Sequence, residues 1–415
     1  MGGRGGRRAV GGGGGRAATG RPNGLPHGGR PRRARRAGQT ACPTATVEWD
    51  LAGVYLSFPF CAQKCTFCNF ASGVGPRVLE ERYLTALGAE VAAFEWPWAP
   101  ETVYLGGGSP NRIPPAGLLP LLAAIPGQPW REATIEATPG AVTPELARAW
   151  REAGIGRVSL GVQSFVQAEI AGTGRKHTAA RVAEEAALLR GAGIGNINID
   201  LIAGLPGQTA ESWRESLDWV ERLSAPHVSV YMFEIDQDSR LGAEILRGGA
   251  RYGAQRAPDE DAVAELYETA VDRLAAMGIP RYEISNFARP GFESLHNLKY
   301  WRLEPYAGFG ADAHSFDGAW RRSNVESAAE YVERIERGEP PRANEEPAHP
   351  NEERFFLGLR LSAGMIPGAD EWRRFEAPIR RLAEAGLLEI DGPALRLTRR
   401  GVLLSNEVFQ EFLES

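Results

Sequence analysis

The stretch FPFCAQKCTFCNF, residues 58–70, places three of the chain's four cysteines within eight residues. Thiolates are soft ligands that suit iron–sulfur clusters, and the spacings between Cys61, Cys65 and Cys68 allow one tight loop to wrap a cubane. A structural zinc site takes four nitrogen or sulfur ligands, usually as paired C-x-x-C halves, and the sequence has no second pair. A disulfide framework would spread its cysteines along the chain. The triplet therefore predicts a 4Fe–4S cluster, and Cys42 is interpreted as a free thiol.

The cysteine triplet follows the first of six short apolar runs that alternate with segments of helical periodicity. We predict strands at residues 54–58, 102–105, 133–137, 157–162, 196–203 and 227–233, and helices at 79–94, 144–153, 179–191 and 211–223. This alternation implies parallel strands with right-handed crossovers, and the near-continuous apolar runs predict strands buried on both faces. The fold class is therefore α/β, a partial (β/α)6 barrel whose ligands gather at the carboxyl ends of the strands.

The sequence divides into four predicted parts. Residues 1–46 form an Arg/Gly-rich arm predicted to be disordered, and 47–290 form the barrel. Residues 291–350 hold an aromatic, irregular stretch and a proline-marked linker. Residues 351–415 form a small helical, winged-helix-like module with a hairpin turned at Asp391-Gly392.

Charge and hydropathy exclude some classes of protein. The first 41 residues carry ten arginines and no acid, which leaves the rest of the chain with fifteen more acids than bases. Such an acidic body is a poor nucleic-acid binder, so no specific nucleic acid is expected, although the arm itself could contact RNA or an anionic surface. No run of eighteen apolar residues and no signal-peptide core are present, so we predict a cytoplasmic protein.

The cysteine triplet and its lead resemble those of radical S-adenosylmethionine (SAM) proteins. Within that superfamily the chain resembles the coproporphyrinogen oxidase-like branch, and most of all the HemW family of heme chaperones, from about residue 52 to the C-terminus. The resemblance implies that the fourth iron of the cluster is open to the amino and carboxylate groups of SAM. The implied SAM-binding residues are Tyr55, Phe67, Gly107, Gly108, Ser109, Glu136, Gln163, Arg175 and Asp200. Asp200 ends an otherwise buried strand and needs a partner, for which Arg175 is the candidate.

A second motif, LHNLKYW at residues 295–301, resembles the HNxxYW sequence of heme-binding members. The resemblance implies that His296 is an axial ligand of heme and that Asn297, Tyr300 and Trp301 shape the pocket. The alternative is a packing motif between the barrel and the C-terminal module. His314 is a second candidate ligand, whereas His177, His227 and His349 are interpreted as structural or solvated.

The resemblance thus predicts a protein that binds heme as cargo and passes it to an acceptor protein, such as a respiratory one, with peripheral contact to a membrane. The main alternative is an oxygen-independent coproporphyrinogen III oxidase (dehydrogenase). Those enzymes carry a further cysteine two residues beyond the third ligand, where this chain has Phe70. Whether the chain is an enzyme is therefore left open. Another radical enzyme and a DNA-binding role for the arginine-rich C-terminal module are further alternatives.

Overall fold

The computed structural model describes residues 52–413. Residues 1–51 and 414–415 lie outside the described part, and so do the predicted arm over 1–46 and the predicted free thiol Cys42. The domain boundaries predicted after residues 46, 290 and 350 stay predictions.

Strands make up the first layer of the structure. They are β1 Gly53–Phe58, β2 Thr102–Gly107, β3 Glu132–Ala137, β4 Arg157–Gln163, β5 Asn196–Ala203, β6 His227–Met232, β7 Asn286–Ala288, β8 Tyr306–Phe309, β9 His314–Phe316, β10 Trp320–Asn324, β11 Arg342–Pro347, β12 Leu388–Asp391 and β13 Ala394–Leu397. The first eleven form one sheet in the order β11-β10-β9-β8-β1-β2-β3-β4-β5-β6-β7. β1 to β6 are parallel neighbours in chain order, as the predicted partial (β/α)6 barrel requires.

Helices cover the convex face of this sheet and build the C-terminal module. They are α1 Arg77–Ala93, α2 Pro115–Ala123, α3 Pro144–Glu152, α4 Gln167–Thr173, α5 Ala179–Gly191, α6 Ala210–Arg222, α7 Arg240–Leu246, α8 Glu260–Ala276, α9 Leu295–Trp301, α10 Ala328–Glu336, α11 Pro350–Gly358, α12 Ala369–Glu384, α13 Arg399–Leu403 and α14 Ser405–Gln410. Side-chain caps start several of them; Thr143, for example, accepts from the Leu146 amide, directly before Pro144 at the first helical position. No helix among residues 52–413 is long and apolar enough to cross a membrane.

The two faces of the parallel strands differ in chemistry. Residues that point outward are apolar and pack under the helices, as Leu105, Ile135 and Val158 do. Residues of the other parity point to the concave side, which we call the lumen, and most of them are polar: Tyr104, Glu136, Arg157, Ser159, Gln163, Asn198, Asp200, Ser229 and Tyr231. The predicted burial of both faces is confirmed, because most residues of β1 to β6 are buried, but only the convex face is apolar and supplies the hydrophobic core.

The segment that follows α8 is more regular than the sequence suggested. β7 pairs antiparallel with β6, and β8 pairs parallel with β1 on the opposite side of the barrel. β9 to β11 continue the sheet as antiparallel strands, so the predicted irregular stretch contains three strands, β8 to β10, and one helix, α9, and part of the predicted linker is β11.

The C-terminal module has its own core around Phe355, Phe375 and Phe412. The predicted hairpin is present as β12 and β13. The module meets the barrel through backbone hydrogen bonds from Ile284 N to Arg360 O (3.1 Å) and from Ser362 N to Tyr282 O (2.9 Å).

Candidate functional site

One cavity of about 1030 Å³ opens at the carboxyl ends of β1 to β6 and continues into the lumen. We call its open end the mouth. Its wall includes the three cysteines and eight of the nine residues expected to bind SAM: Phe67, Gly107, Gly108, Ser109, Glu136, Gln163, Arg175 and Asp200. Tyr55 is not part of that wall; its ring packs against Tyr104, with 6.1 Å between ring centroids.

The cysteine loop, residues 61–73, is fixed at both ends by backbone hydrogen bonds. Cys61 N donates to Gly73 O (2.8 Å), and Gly73 N donates to Pro59 O (2.9 Å). In the middle, Thr66 N donates to Thr173 O (3.1 Å), and Leu241 N donates to Thr66 O (2.8 Å). The loop is thus held by its own base and by α4 and α7, which keeps the three thiols on the cavity wall.

The thiols fit a cluster better than a single ion. All three cysteines are free and partly exposed to the cavity. No three His, Cys, Asp or Glu side chains within residues 52–413 converge as one metal ion would require; a cubane relaxes this demand because each thiolate binds a different iron. Burial raises the pKa of the Cys68 thiol, and a bound metal would oppose this shift by favouring the thiolate.

A glycine-rich segment at the end of β2, residues 106–109, lies directly beside the cysteine loop, and we call it the glycine loop. Gly108 N donates to Phe58 O (2.8 Å), and Ser109 N donates to Phe60 O (2.9 Å). A Cβ on Gly108 would stand 2.7 Å from the Phe60 carbonyl oxygen, so the two loops approach as closely as backbones can. This contact makes a cradle in which backbone groups reach a ligand bound next to the cluster.

Two carboxylates, Glu136 on β3 and Asp200 on β5, project into the lumen. Tyr104 Oη donates to Glu136 (2.9 Å), while Ser159 Oγ (3.0 Å) and Asn198 Nδ2 (2.7 Å) donate to Asp200. Burial, with Asp200 as the second cause, raises the pKa of Glu136 to about 7. Burial raises the pKa of Asp200 as well. Two acids in one cavity favour a cationic ligand, and the sulfonium and ammonium groups of SAM fit this requirement.

The predicted pairing of Asp200 with Arg175 was wrong. Arg175 Nη1 donates instead to the Gly161 carbonyl, and a Cβ on Gly161 would lie 3.2 Å from both Arg175 Nη1 and Gln163 Nε2. Gln163 lies at φ 70°, in the left-handed region that non-glycine residues rarely adopt. Such backbone strain concentrates at ligand sites, where the surrounding structure maintains it.

The HNLKYW motif lies at the other end of the barrel. Glu132, at the start of β3, accepts from the amides of Leu295 (2.9 Å) and His296 (3.1 Å), which fixes α9 across the amino ends of the strands. Asn297 reaches the floor of the cavity; His296, Tyr300 and Trp301 are not part of the wall.

His296 has no free nitrogen in this arrangement. Its Nδ1 contacts Thr102 Oγ1 (2.8 Å), its Nε2 contacts Tyr300 Oη (2.8 Å), and the side chain is 1% exposed. Trp301 meets the C-terminal module, since the Arg360 guanidinium lies 4.3 Å from its ring centroid. This geometry favours the packing alternative over an axial ligand, because iron binding would require two buried hydrogen bonds to break.

Several lumen residues were missed at the sequence level. Arg157 is 2% exposed and lines the cavity, as do Ser159, Asn198 and Ser229. Alternate residues of these strands line the cavity, so a two-residue alternation in RVSLGVQ, NINIDLIA and HVSVYM was the signal that could have found them. They include Arg157, Ser159, Gly161 and Gln163 of β4, Asn198, Asp200 and Ile202 of β5, and Ser229 and Tyr231 of β6.

Residues 55–220 match the Radical SAM superfamily, and residues 346–404 match the HemN C-terminal domain. In fold, the chain is similar to coproporphyrinogen III oxidase (HemN) from Escherichia coli, with a TM-score of 0.74, 20% identity and coverage of 88% and 90% of the two chains. The fold and the cysteine loop define a radical SAM protein, a class that carries a 4Fe–4S cluster and SAM.

Full-length relatives narrow the class further. The chain is 34% identical to the heme chaperone HemW of Bacillus subtilis (strain 168), over 88% of this chain and 99% of that protein. It is 35% identical to the heme chaperone HemW of Mycobacterium tuberculosis (strain CDC 1551 / Oshkosh), over 87% and 94%. The chain belongs to the HemW family.

Proposed function

We propose that this protein is a heme chaperone, which binds heme and delivers it to an acceptor protein. The observation that carries the proposal is the 34% identity over 99% of a protein named as a heme chaperone. The fold is similar to that of an oxidase, but the two sequences are only 20% identical, so this similarity supports the architecture alone. Phe70, 67% exposed on the cavity wall, occupies the position where the resembling dehydrogenases have a further cysteine.

The proposal assigns a role to each part of the cavity. Cys61, Cys65 and Cys68 hold the cluster, and the glycine loop with Glu136, Gln163, Arg175 and Asp200 holds SAM. The cluster and SAM, when bound, can supply one-electron chemistry. The chain's own residues orient the nucleotide, balance its positive charge and exclude bulk water from the lumen.

A protein that delivers heme needs an acceptor protein and a cellular location where the two meet. We propose a cytoplasmic protein that meets a heme-requiring partner, such as a respiratory protein, with peripheral contact to a membrane. The acceptor must take heme from the chaperone directly, because free heme partitions into membranes and aggregates in water.

The decisive experiment is a transfer assay with anaerobically reconstituted protein. Heme uptake is measured by absorbance, and the heme-loaded protein is then mixed with membranes whose respiratory proteins lack heme. Direct delivery gives a transfer rate that rises with acceptor concentration, whereas simple release gives a rate that does not depend on it.

The oxidase alternative is tested on the same preparation. Coproporphyrinogen III, SAM and a reductant are supplied, and decarboxylated product is measured. Catalytic turnover without heme uptake would replace the proposed function with the alternative.

A further inference from the structure

The described histidines differ in whether an imidazole nitrogen can reach a ligand. His227 and His296 have both ring nitrogens in hydrogen bonds inside the protein. His314 and His349 are exposed and lie off the cavity wall. Among residues 52–413, His177 is the histidine that lines the cavity.

His177 also lacks partners. It is 7% exposed, and neither ring nitrogen forms a hydrogen bond. Burial lowers its pKa to about 4; the Val162 backbone beside the ring offsets this only in part, without a hydrogen bond of normal geometry. The imidazole is therefore neutral at pH 7, the form that binds a metal.

A buried imidazole without hydrogen-bond partners is costly, because each ring nitrogen loses its contacts with water and gains none inside the protein. The surrounding atoms cover both nitrogens, so the ring must turn toward the cavity to meet a ligand. That rotation breaks no hydrogen bond, in contrast to the two that His296 would lose. His177 is thus the imidazole that a ligand in the cavity can recruit at the lowest cost.

The surroundings of His177 suit an amphiphilic, anionic ligand. Lys176 precedes it on the cavity wall and forms no ion pair with a carboxylate of residues 52–413. Phe67 and Phe70 belong to the same wall, and Phe70 is one of the most exposed large apolar side chains described. Heme combines these properties, since it has an apolar macrocycle, two carboxylates and an iron that binds imidazole.

Heme would lie at the mouth, because the cluster and SAM are already assigned to the rest of this cavity of about 1030 Å³. The cysteine loop and the glycine loop occupy one side of the mouth, and the segment 175–177 after α4 contributes another part of its wall.

We propose that His177 is the axial ligand of heme bound at the mouth of the cavity, with Lys176 beside a propionate. The inference rests on the proposed heme-binding function and adds the site and the ligand. It replaces His296 as the iron-binding residue.

The test is a titration of the cluster-loaded, SAM-bound protein with ferric heme, followed by absorbance and electron paramagnetic resonance. Wild type should show a histidine-ligated spectrum. His177→Ala should bind heme about tenfold or more weakly and lose that spectrum, and added imidazole should restore it. His177→Cys should give a thiolate-type spectrum, which a purely structural role of His177 would not produce. His349→Ala is the matched control and should match wild type.

The outcomes separate the two proposals. If wild type takes up no heme, the proposed function and this inference both fail. If wild type binds heme, and both His177→Ala and His177→Cys keep the wild-type affinity and spectrum, only the inference fails. The failure is clearest if His296→Gln or His314→Ala loses the heme affinity and the histidine-ligated spectrum. Iron content and SAM affinity are measured on each variant, and the cysteine variant decides the result if the alanine variant does not fold.

Discussion

Gly108→Ala tests whether the close approach of the two loops builds the cofactor site. The added methyl would lie 2.7 Å from Phe60 O and 2.9 Å from Phe58 O, both backbone atoms that cannot rotate away. The loops must separate, which weakens the hydrogen bonds from Gly108 N to Phe58 O and from Ser109 N to Phe60 O.

The magnitude follows from these contacts. Overpacking costs about 1–3 kcal/mol and each weakened hydrogen bond up to about 1 kcal/mol, so we expect a loss of about 2–4 kcal/mol in the free energy of unfolding. SAM affinity should fall too, because the displaced backbone lines the cavity. The control is Gly73→Ala in the same cysteine loop, where a Cβ meets no atom within 4 Å, and its effect should stay within about 1 kcal/mol.

Urea unfolding under anaerobic conditions measures the stability of both variants, and equilibrium binding measures their SAM affinity. If Gly108→Ala is as stable as Gly73→Ala and binds SAM as tightly, the cradle argument is wrong.

Three further predictions concern charge, iron and docking. Because the Glu136 pKa is about 7, SAM binding should weaken about tenfold from pH 8 to pH 6 as the carboxyl becomes protonated, and Glu136→Gln should flatten that pH profile in calorimetric titrations. Cys65→Ser should lose most of the iron measured after reconstitution, while Cys42→Ser should retain it; equal iron in both would exclude the cluster assignment. Arg360→Met removes the cation over Trp301 and the partner of the buried Glu283 (3.7 Å), so the free energy of unfolding should fall by about 3 kcal/mol. Arg380→Met, which loses an exposed ion pair with Glu376, should change the free energy of unfolding by less than about 1 kcal/mol. If the two variants are equally sensitive to protease, Arg360 does not hold the C-terminal module on the barrel.

The barrel was predictable because its strands and helices are signalled locally. Apolar runs such as Val54–Phe58 and the Thr143-Pro144 cap depend on neighbouring residues alone, and the structure has β1 and α3 there. The cysteine loop was predictable for the same reason, since its three ligands fall within one short segment.

Contacts between distant segments were not predictable in this way. The partner of Asp200 depends on the register of β4 against β5, which places Ser159 beside Asn198 and within 3.0 Å of Asp200. The placement of His296 depends on Glu132, 164 residues earlier, which binds the amides that begin α9. Sequence alone showed a histidine in an aromatic motif but not which end of the barrel it would occupy.

The position of α9 has a consequence for how a ligand enters and leaves the lumen. Because this helix lies across the amino ends of the strands, the mouth at their carboxyl ends is the route into the lumen that the cavity provides. A molecule that enters the lumen through the mouth also leaves through the mouth, so uptake and release use the same opening. An acceptor that takes a ligand directly from the lumen must therefore dock at the mouth.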